Sequence, residues 1–328
     1  MVRPVFEAMK YVRLKTSDPY LNLAIEEYLF KYADDDIFML WQNRPSVIIG
    51  KNQNAYAEVE LEYAKDKAIS VARRITGGGA VYHDGGNVNY SFITSRERAD
   101  SLDFAFFTRP VIDALAELGL EASLSGRNDL ICRERKLSGN AQFSDGKRVL
   151  HHGTLLFDTD LNEMSAVLKG GTEKLRARAI NSHKSRVANI RELLDGKMSV
   201  EDFVSFLEKH VSKTADGILP LPENDARLSE LVFRNRSDEW IYSHKAFLRR
   251  YSLRAENRFD FGTVIIELSL NGERIESALI SGDFFEKRPI SELEAILTDK
   301  TLKEVCELDP SPYIHGMSRK DMEILIKE

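Results

Sequence analysis

The segment Arg73-Arg74-Ile75-Thr76-Gly77-Gly78-Gly79-Ala80-Val81-Tyr82-His83-Asp84 limits what this chain can fold into more than any other. Three consecutive glycines weaken both helix and strand interiors, because glycine loses the most backbone freedom on ordering. The segment therefore reads as a tight bend between extended runs ending near Ala72 and starting near Ala80. The same lack of side chains lets backbone N–H groups crowd an anion, and an arginine pair and a histidine flank the bend. This is the outline of a phosphate or carboxylate site. A lone triple glycine is more often a plain turn. Here, however, two more polar, glycine-bearing stretches follow: Gly126-Arg127-Asn128-Asp129-Leu130 leading into Lys136-Leu137-Ser138-Gly139-Asn140-Ala141-Gln142, and His151-His152-Gly153-Thr154-Leu155-Leu156-Phe157.

The charge balance narrows the function classes. Forty-six basic against fifty-two acidic residues give a net charge of −6, so nucleic-acid or membrane-surface binding has no electrostatic support and any basic feature must be local. At 328 residues and 43% hydrophobic content, about two domains with ordinary cores are expected. Cys132 and Cys306 fit neither a metal-ligand spacing nor a disulfide framework, which indicates a reducing compartment. Met1-Val2-Arg3-Pro4 has no apolar signal core, and no apolar run approaches the roughly 18 residues a membrane helix needs. The expected location is the cytoplasm.

The pattern predicts a strand at Tyr11 to Leu14 and a helix from Asp18-Pro19 to about Tyr32, with proline at the first helical position. Ile37 to Trp41 and Ser46 to Gly50, split by the turn composition Gln42-Asn43-Arg44-Pro45, read as a hairpin. A helix over Glu58 to Lys67, a strand over Ile69 to Arg73, another over Asn87 to Thr94 and a helix over Phe104 to Leu118 follow. Glu121 to Phe157 reads as strands separated by turns. Period-two alternation puts Lys136, Ser138 and Asn140 on one face and Leu137, Gly139 and Ala141 on the other. Helices are expected near Leu161 to Leu168 and Val200 to His210, and the polar stretch from Leu219 to Asp225 leads into a region of no clear pattern. The tail carries strands over Thr263 to Leu270 and Arg274 to Ile280 joined at Asn271-Gly272, then helices near Ser291 to Leu297 and Ser318 to Lys327. No internal repeat or low-complexity tract is present.

As a set, Arg74 to Asp84, Gly126 to Asp129, Lys136 to Ala141 and His152 to Leu156 resemble the lipoate-protein ligases in order and spacing. Ser185-Arg186-Val187-Ala188-Asn189-Ile190 and Gly282-Asp283-Phe284-Phe285 extend the likeness over nearly the whole chain. Each motif alone is weak; together they are specific. The implied fold is α+β: a mixed β-sheet catalytic domain flanked by helices, similar to biotin ligases, over residues 1–245, plus a small α+β accessory domain over 246–328. The implied reaction joins lipoate or octanoate to ATP, releases pyrophosphate, and passes the acyl group to a lysine. The implied acceptors are the lipoyl domains of 2-oxoacid dehydrogenase E2 subunits and the glycine cleavage H protein. The enzyme is expected to be a monomer with no nucleic-acid or membrane partner.

The resemblance assigns roles residue by residue. Lys136 is the catalytic cation, a compact ammonium able to touch both the α-phosphate and the acyl carboxyl oxygen. Arg74 holds phosphate or carboxylate with its planar fork, while Arg73 should point to the other face. Gly77, Gly78 and Gly79 form the bend, and the backbone through Ala80, Val81 and Tyr82 runs along the nucleotide. His83, Asn128 and His152 meet phosphate or developing charge, and Gly153 and Thr154 read the adenine edge. Arg74, Lys136, Ser138 and Gly139 meet lipoate. Asp129 is the ligand for Mg²⁺, which binds through one or two carboxylates plus phosphates. Trp41 and Val47 to Ile49 are offered as walls of an acyl tunnel, although core is the commoner role for such residues. Two positions depart from the family pattern: Gly85 where leucine is frequent, and Ala188 where threonine is.

Two other readings stay in view. An ATP-independent acyl transferase of the same superfamily needs a nucleophilic cysteine, and Cys132 lies past Asp129 rather than before it. A non-catalytic lipoate-binding module is the other, against which the full set of phosphate-site motifs argues.

Overall fold

The computed structural model describes residues 9–95, 102–169, 187–212, 215–221, 224–242 and 251–327. By compactness the chain divides into two units that alternate along the sequence. The first comprises Met1–Ile48, Glu60–Ala72 and Val81–Ser237; the second comprises Ile49–Val59, Arg73–Ala80 and Asp238–Glu328.

The first unit is built on an eight-stranded mixed sheet. Its strands are β1 (Met9–Arg13), β2 (Ile37–Trp41), β6 (Asn87–Ser95), β7 (Ala122–Ser125), β8 (Asp129–Cys132), β9 (Arg135–Ser144), β10 (Arg148–Leu156) and β11 (Ala215–Ile218), in the order β11-β1-β2-β6-β10-β9-β8-β7. β1 runs parallel to both its neighbours, and every other pairing is antiparallel. Helix α1 (Pro19–Tyr32) starts as its sequence dictates: Asp18 caps it by accepting from Tyr20 N, with Pro19 in the first turn. Helix α4 (Phe104–Glu117) lays Phe107, Val111 and Leu115 into a core shared with Phe92, Leu130 and Val149, closed by Phe203 and Leu207 of a later helix, Val200–Ser212.

Two predicted elements come out differently. β2 and β3 (Ser46–Ile49) form no hairpin: β2 lies between β1 and β6, whereas β3 belongs to a separate three-stranded sheet, where it pairs with β5 (Val81–His83) and neighbours β4 (Ser70–Arg73). The reason is burial. Every residue of both strands is buried, so neither has the solvated face of a two-stranded ribbon, and the turn directs Arg44 N to Ser17 O instead of closing on itself. The helix expected over Glu58 to Lys67 is two, α2 (Ala55–Glu58) and α3 (Leu61–Asp66), interrupted where Glu60 N donates to Val167 O. The unpatterned stretch beyond Asp225 forms a helix over Ala226–Arg236, tied to α1 by Arg234 on Glu27 and Arg236 on Asp18.

The second unit has its own antiparallel sheet of β12 (Leu253–Phe259), β13 (Gly262–Asn271) and β14 (Arg274–Gly282). Gly272, at φ 62°, makes the β13–β14 turn. Val264, Ile266 and Leu268 alternate inward and meet Leu293 and Leu297 of the helix Ile290–Leu297 and Met322 and Leu325 of the helix Arg319–Lys327. β12 and the capped helix Leu302–Cys306 were not legible from pattern. Among the described residues no helix is long and apolar enough to cross a membrane.

Candidate functional site

In the first unit the site is set by a bulge. β8 and β9 pair in register from Asp129↔Gly139 to Leu130↔Ser138, then shift so that Ile131 faces Lys136, which leaves Leu137 as the extra residue. The alternation is thereby reset. Lys136 does not share the face of Ser138 and Asn140, as period two predicted: its ammonium lies over Gly139, where an added Cβ would stand 3.2 Å from Nζ. The same ammonium sits 2.8 Å from Asp129 Oδ1, with both side chains a little over one-third exposed. The backbone of Lys136 is held from the other side, its carbonyl accepting from Ala188 N at 3.0 Å beside a parallel bridge to Val187. Ser185 and Arg186 lie outside the described residues. Thr154, on β10, reaches the same strip through its Oγ1, which accepts from Gly139 N at 3.2 Å.

Ser138 and Asn140 turn inward instead and are buried. Asn140 N and Nδ2 both donate to Asn128 O, and Asn128 Nδ2 donates back to Asn140 O, so this pair closes the turn into β8. Tyr90 donates to Asn140 Oδ1. Gly153 has to be glycine here: a Cβ would fall 2.6 Å from the Tyr90 hydroxyl.

Beside this strip runs a buried polar chain whose centre sequence reasoning missed. Trp41 Nε1 donates to Ser91 Oγ at 3.0 Å, Ser91 Oγ donates to Glu26, and His152 Nδ1 meets the two Glu26 oxygens at 3.0 and 3.1 Å. Glu26 is 1% exposed. A carboxylate so deep survives only when its lone pairs are satisfied. His151, the other member of the histidine pair, is fully buried and stacks on Phe107 with centroids 4.9 Å apart; burial first, then the neighbouring His152, holds it well below the usual histidine range. Val81, Tyr82 and His83 form β5, and His83 is buried against Asn43 and Trp41. Cys132 points into the core at 3% exposure.

The second unit contains the bend. Gly78 takes φ 89°, a conformation that needs glycine. Gly77 packs so tightly that an added Cβ would collide with Phe284 O and reach 3.2 Å from Phe285 Cα, and Gly78 N donates to Phe284 O. A Cβ added at Gly79 would meet nothing within 4 Å. Arg74 fixes the loop from within: Nε donates to Thr76 Oγ1 at 2.9 Å, and Nη2 to Gly77 O and Gly79 O at 2.7 and 2.8 Å. Arg73 is 1% exposed and donates to five carbonyls, those of Gly50, Lys51, Gln53, Trp240 and Ile241. Burial, and then Arg74, lowers its pKa to about 10. Glu286 carries the segment after Phe285 onto Lys51 and Asn52. Thus Arg74, Gly77, Gly78, Gly79 and the half-buried Ala80 form one group, and Lys136, Asp129, Gly139 and Thr154 form the other.

For a metal, the donor set is sparse. Among the described residues no three His, Cys, Asp or Glu side chains gather, so a cage made of protein ligands alone is absent. A partly exposed Asp129 suits Mg²⁺ held by one carboxylate, phosphate oxygens and water.

The family model described as "Lipoyl protein ligase A/B catalytic domain" matches residues 18–212, and "Bacterial lipoate protein ligase C-terminus" matches 249–323. A lipoate-protein ligase of Bacillus subtilis is 42% identical over 290 residues, covering 87% of each chain. A Plasmodium falciparum LipL1 structure in complex with lipoate superposes with TM-score 0.78 over 98% of both chains, at 22% identity. A lipoate-protein ligase A structure bound with ATP superposes with TM-score 0.59 at 29% identity, covering 72% of this chain and 98% of that one.

Proposed function

The chain belongs to the lipoate-protein ligase family, and from that premise we propose that it couples lipoate or octanoate to ATP and then acylates lipoyl domains of 2-oxoacid dehydrogenase E2 subunits and the glycine cleavage H protein. The observation that carries the reading is the Lys136 ammonium, 2.8 Å from Asp129 and lying over the bare backbone of Gly139.

In the first half-reaction a carboxylate oxygen attacks the α-phosphorus, and the bond to the β-phosphate breaks as pyrophosphate leaves. Two anions must approach, so fixed positive charge is the main requirement, and Lys136 supplies it at the junction of acyl group and phosphate. Gly139 keeps that junction uncrowded. Thr154 holds the Gly139 amide in place. Asp129 steers the ammonium and is the residue that would hold Mg²⁺, which neutralises phosphate charge when bound. The Arg74-braced loop, with Gly79 open to its surroundings, offers backbone to the nucleotide. In the second half-reaction the acceptor amine bonds to the acyl carbon, the bond to AMP breaks, and the amine gives up a proton to solvent or phosphate. Residues 1–245 carry this chemistry and 246–328 act as the accessory domain, in a cytoplasmic monomer.

The alternative, a cysteine thioester route, would require Cys132 to leave the core. Pyrophosphate release measured with and without lipoate, together with acyl transfer to a lipoyl domain with and without ATP, tests the proposal. Release is expected only with both substrates; undiminished transfer without nucleotide would overturn it.

A further inference from the structure

A line of buried amides ends on His83 and fixes where its proton sits. Asn22 Nδ2 lies 3.1 Å from Thr16 O, 2.9 Å from Gln42 O and 2.8 Å from Asn43 Oδ1. Two of those three partners are backbone carbonyls, which only accept, so the side chain of Asn22 cannot be reversed without setting oxygen against oxygen. Its NH₂ is therefore locked towards Asn43, and Asn43 must present Oδ1 to it. Asn43 is left with its own NH₂ facing His83 Nδ1, at 3.0 Å. Asn89 Nδ2 approaches the same nitrogen at 3.5 Å, and its Oδ1 accepts from Asn87 Nδ2 at 2.9 Å. Asn22, Asn43, Asn87, Asn89 and His83 are all buried at 3% exposure or less, so water cannot substitute for a misdirected partner.

A ring nitrogen facing an NH₂ has to accept. We infer that Asn43 is a positioning residue that holds His83 as the neutral tautomer with its proton on Nε2. His83 then offers Nε2–H as a fixed hydrogen-bond donor and is neither a proton acceptor nor an imidazolium. The edge of the Trp41 ring against His83, with centroids 5.9 Å apart at 74°, keeps the imidazole from turning over. This inference rests on the ligase reading for its role in the reaction, while the tautomer itself is independent of it. A neutral donor suits acyl-adenylate chemistry: it stabilises developing negative charge on an acyl or phosphate oxygen without competing for the acceptor lysine's proton.

The test is long-range ¹⁵N–¹H NMR on the full chain labelled at its seven histidines, with the His83 signals assigned by their loss in His83→Gln. The wild type is expected to show the Nε2–H pattern at neutral pH; an Nδ1–H or imidazolium pattern would overturn the inference. Asn43→Asp keeps the acceptor for Asn22 but puts an oxygen against Nδ1, so the pattern should switch to Nδ1–H. Turnover in acyl-adenylate formation should fall roughly 10- to 100-fold, the range usual for an outer partner of a functional histidine, with KM for ATP little changed. An Asn43→Asp protein that keeps both the Nε2–H pattern and full turnover would defeat it, as would His83→Gln, which keeps an amide N–H near the Nε2 position, doing no better than His83→Ala. Absence of lipoate-dependent pyrophosphate release from a wild type showing the Nε2–H pattern would instead defeat the ligase reading and leave the tautomer standing.

Discussion

Replacing Lys136 by alanine removes the charge held over Gly139 while leaving its backbone bond to Ala188 intact. The protein should fold normally, because the side chain is partly exposed and its ion pair contributes little to stability. Lipoate-dependent pyrophosphate release should fall by roughly 100-fold or more, the scale of losing one charge-stabilising donor; a folded variant with full activity would remove the assignment. The three glycines separate at the same scale. Gly77→Ala drives a methyl into Phe284 O and should cost about 1–3 kcal/mol in urea unfolding, whereas Gly79→Ala enters open space and should leave stability unchanged. Equal stability of the two variants would contradict the packing described.

Among elements, the bend depends on Arg73 more than its sequence neighbours suggest. Arg73→Met strands five carbonyls in a buried setting, and a loss of about 3 kcal/mol in unfolding free energy is expected, against well under 1 kcal/mol for Arg135→Met, whose ion pair with Glu192 is exposed. Arg73 also shows where reading the sequence could not reach. Its five carbonyl partners lie far along the chain or across a turn and could not be read locally. Helix α1 was legible because Asp18 and Pro19 carry their own start signal, and the β13–β14 turn because Asn271-Gly272 does. The failures needed a partner. Nothing near Leu137 announces a bulge, since the register shift is set by β8, and so Lys136 appeared on the wrong face. Nothing in Gln42 to Pro45 tells that its flanking strands enter different sheets. Glu26 drew no notice and Asn43 looked like turn because the groups that satisfy them, His152, Ser91 and His83, lie far along the chain.

For the molecule as a whole, buried histidines and a buried carboxyl group respond to pH with opposite sign. His151 in the first unit, and His315 in the second at about 4, have folded pKa values below the unfolded value, so their contribution is complete above about pH 6.5 and is lost as the pH falls from there through the folded value. Glu58 in the second unit is pushed up to about 7, first by burial and then by Asp283. Its folded form keeps the proton that the unfolded form gives up near 4.5, so its contribution is complete below that and falls away as the pH rises to about 7. Glu58→Gln should therefore raise stability by roughly 1–2 kcal/mol at pH 8 and by nothing at pH 4, read from denaturant midpoints. A gain of equal size at both pH values would refute the shift.

Because Gly77 touches the backbone of Phe284, two stretches some two hundred positions apart in the gene share one fit. A chimaera that imports only residues 246–328 from a relative would ask a foreign carbonyl to seat itself against a native loop. Cassettes for recombination would have to carry the codons for 49–59 and 73–80 together with the tail, and drift at either end would be tolerated only when the other end drifts with it.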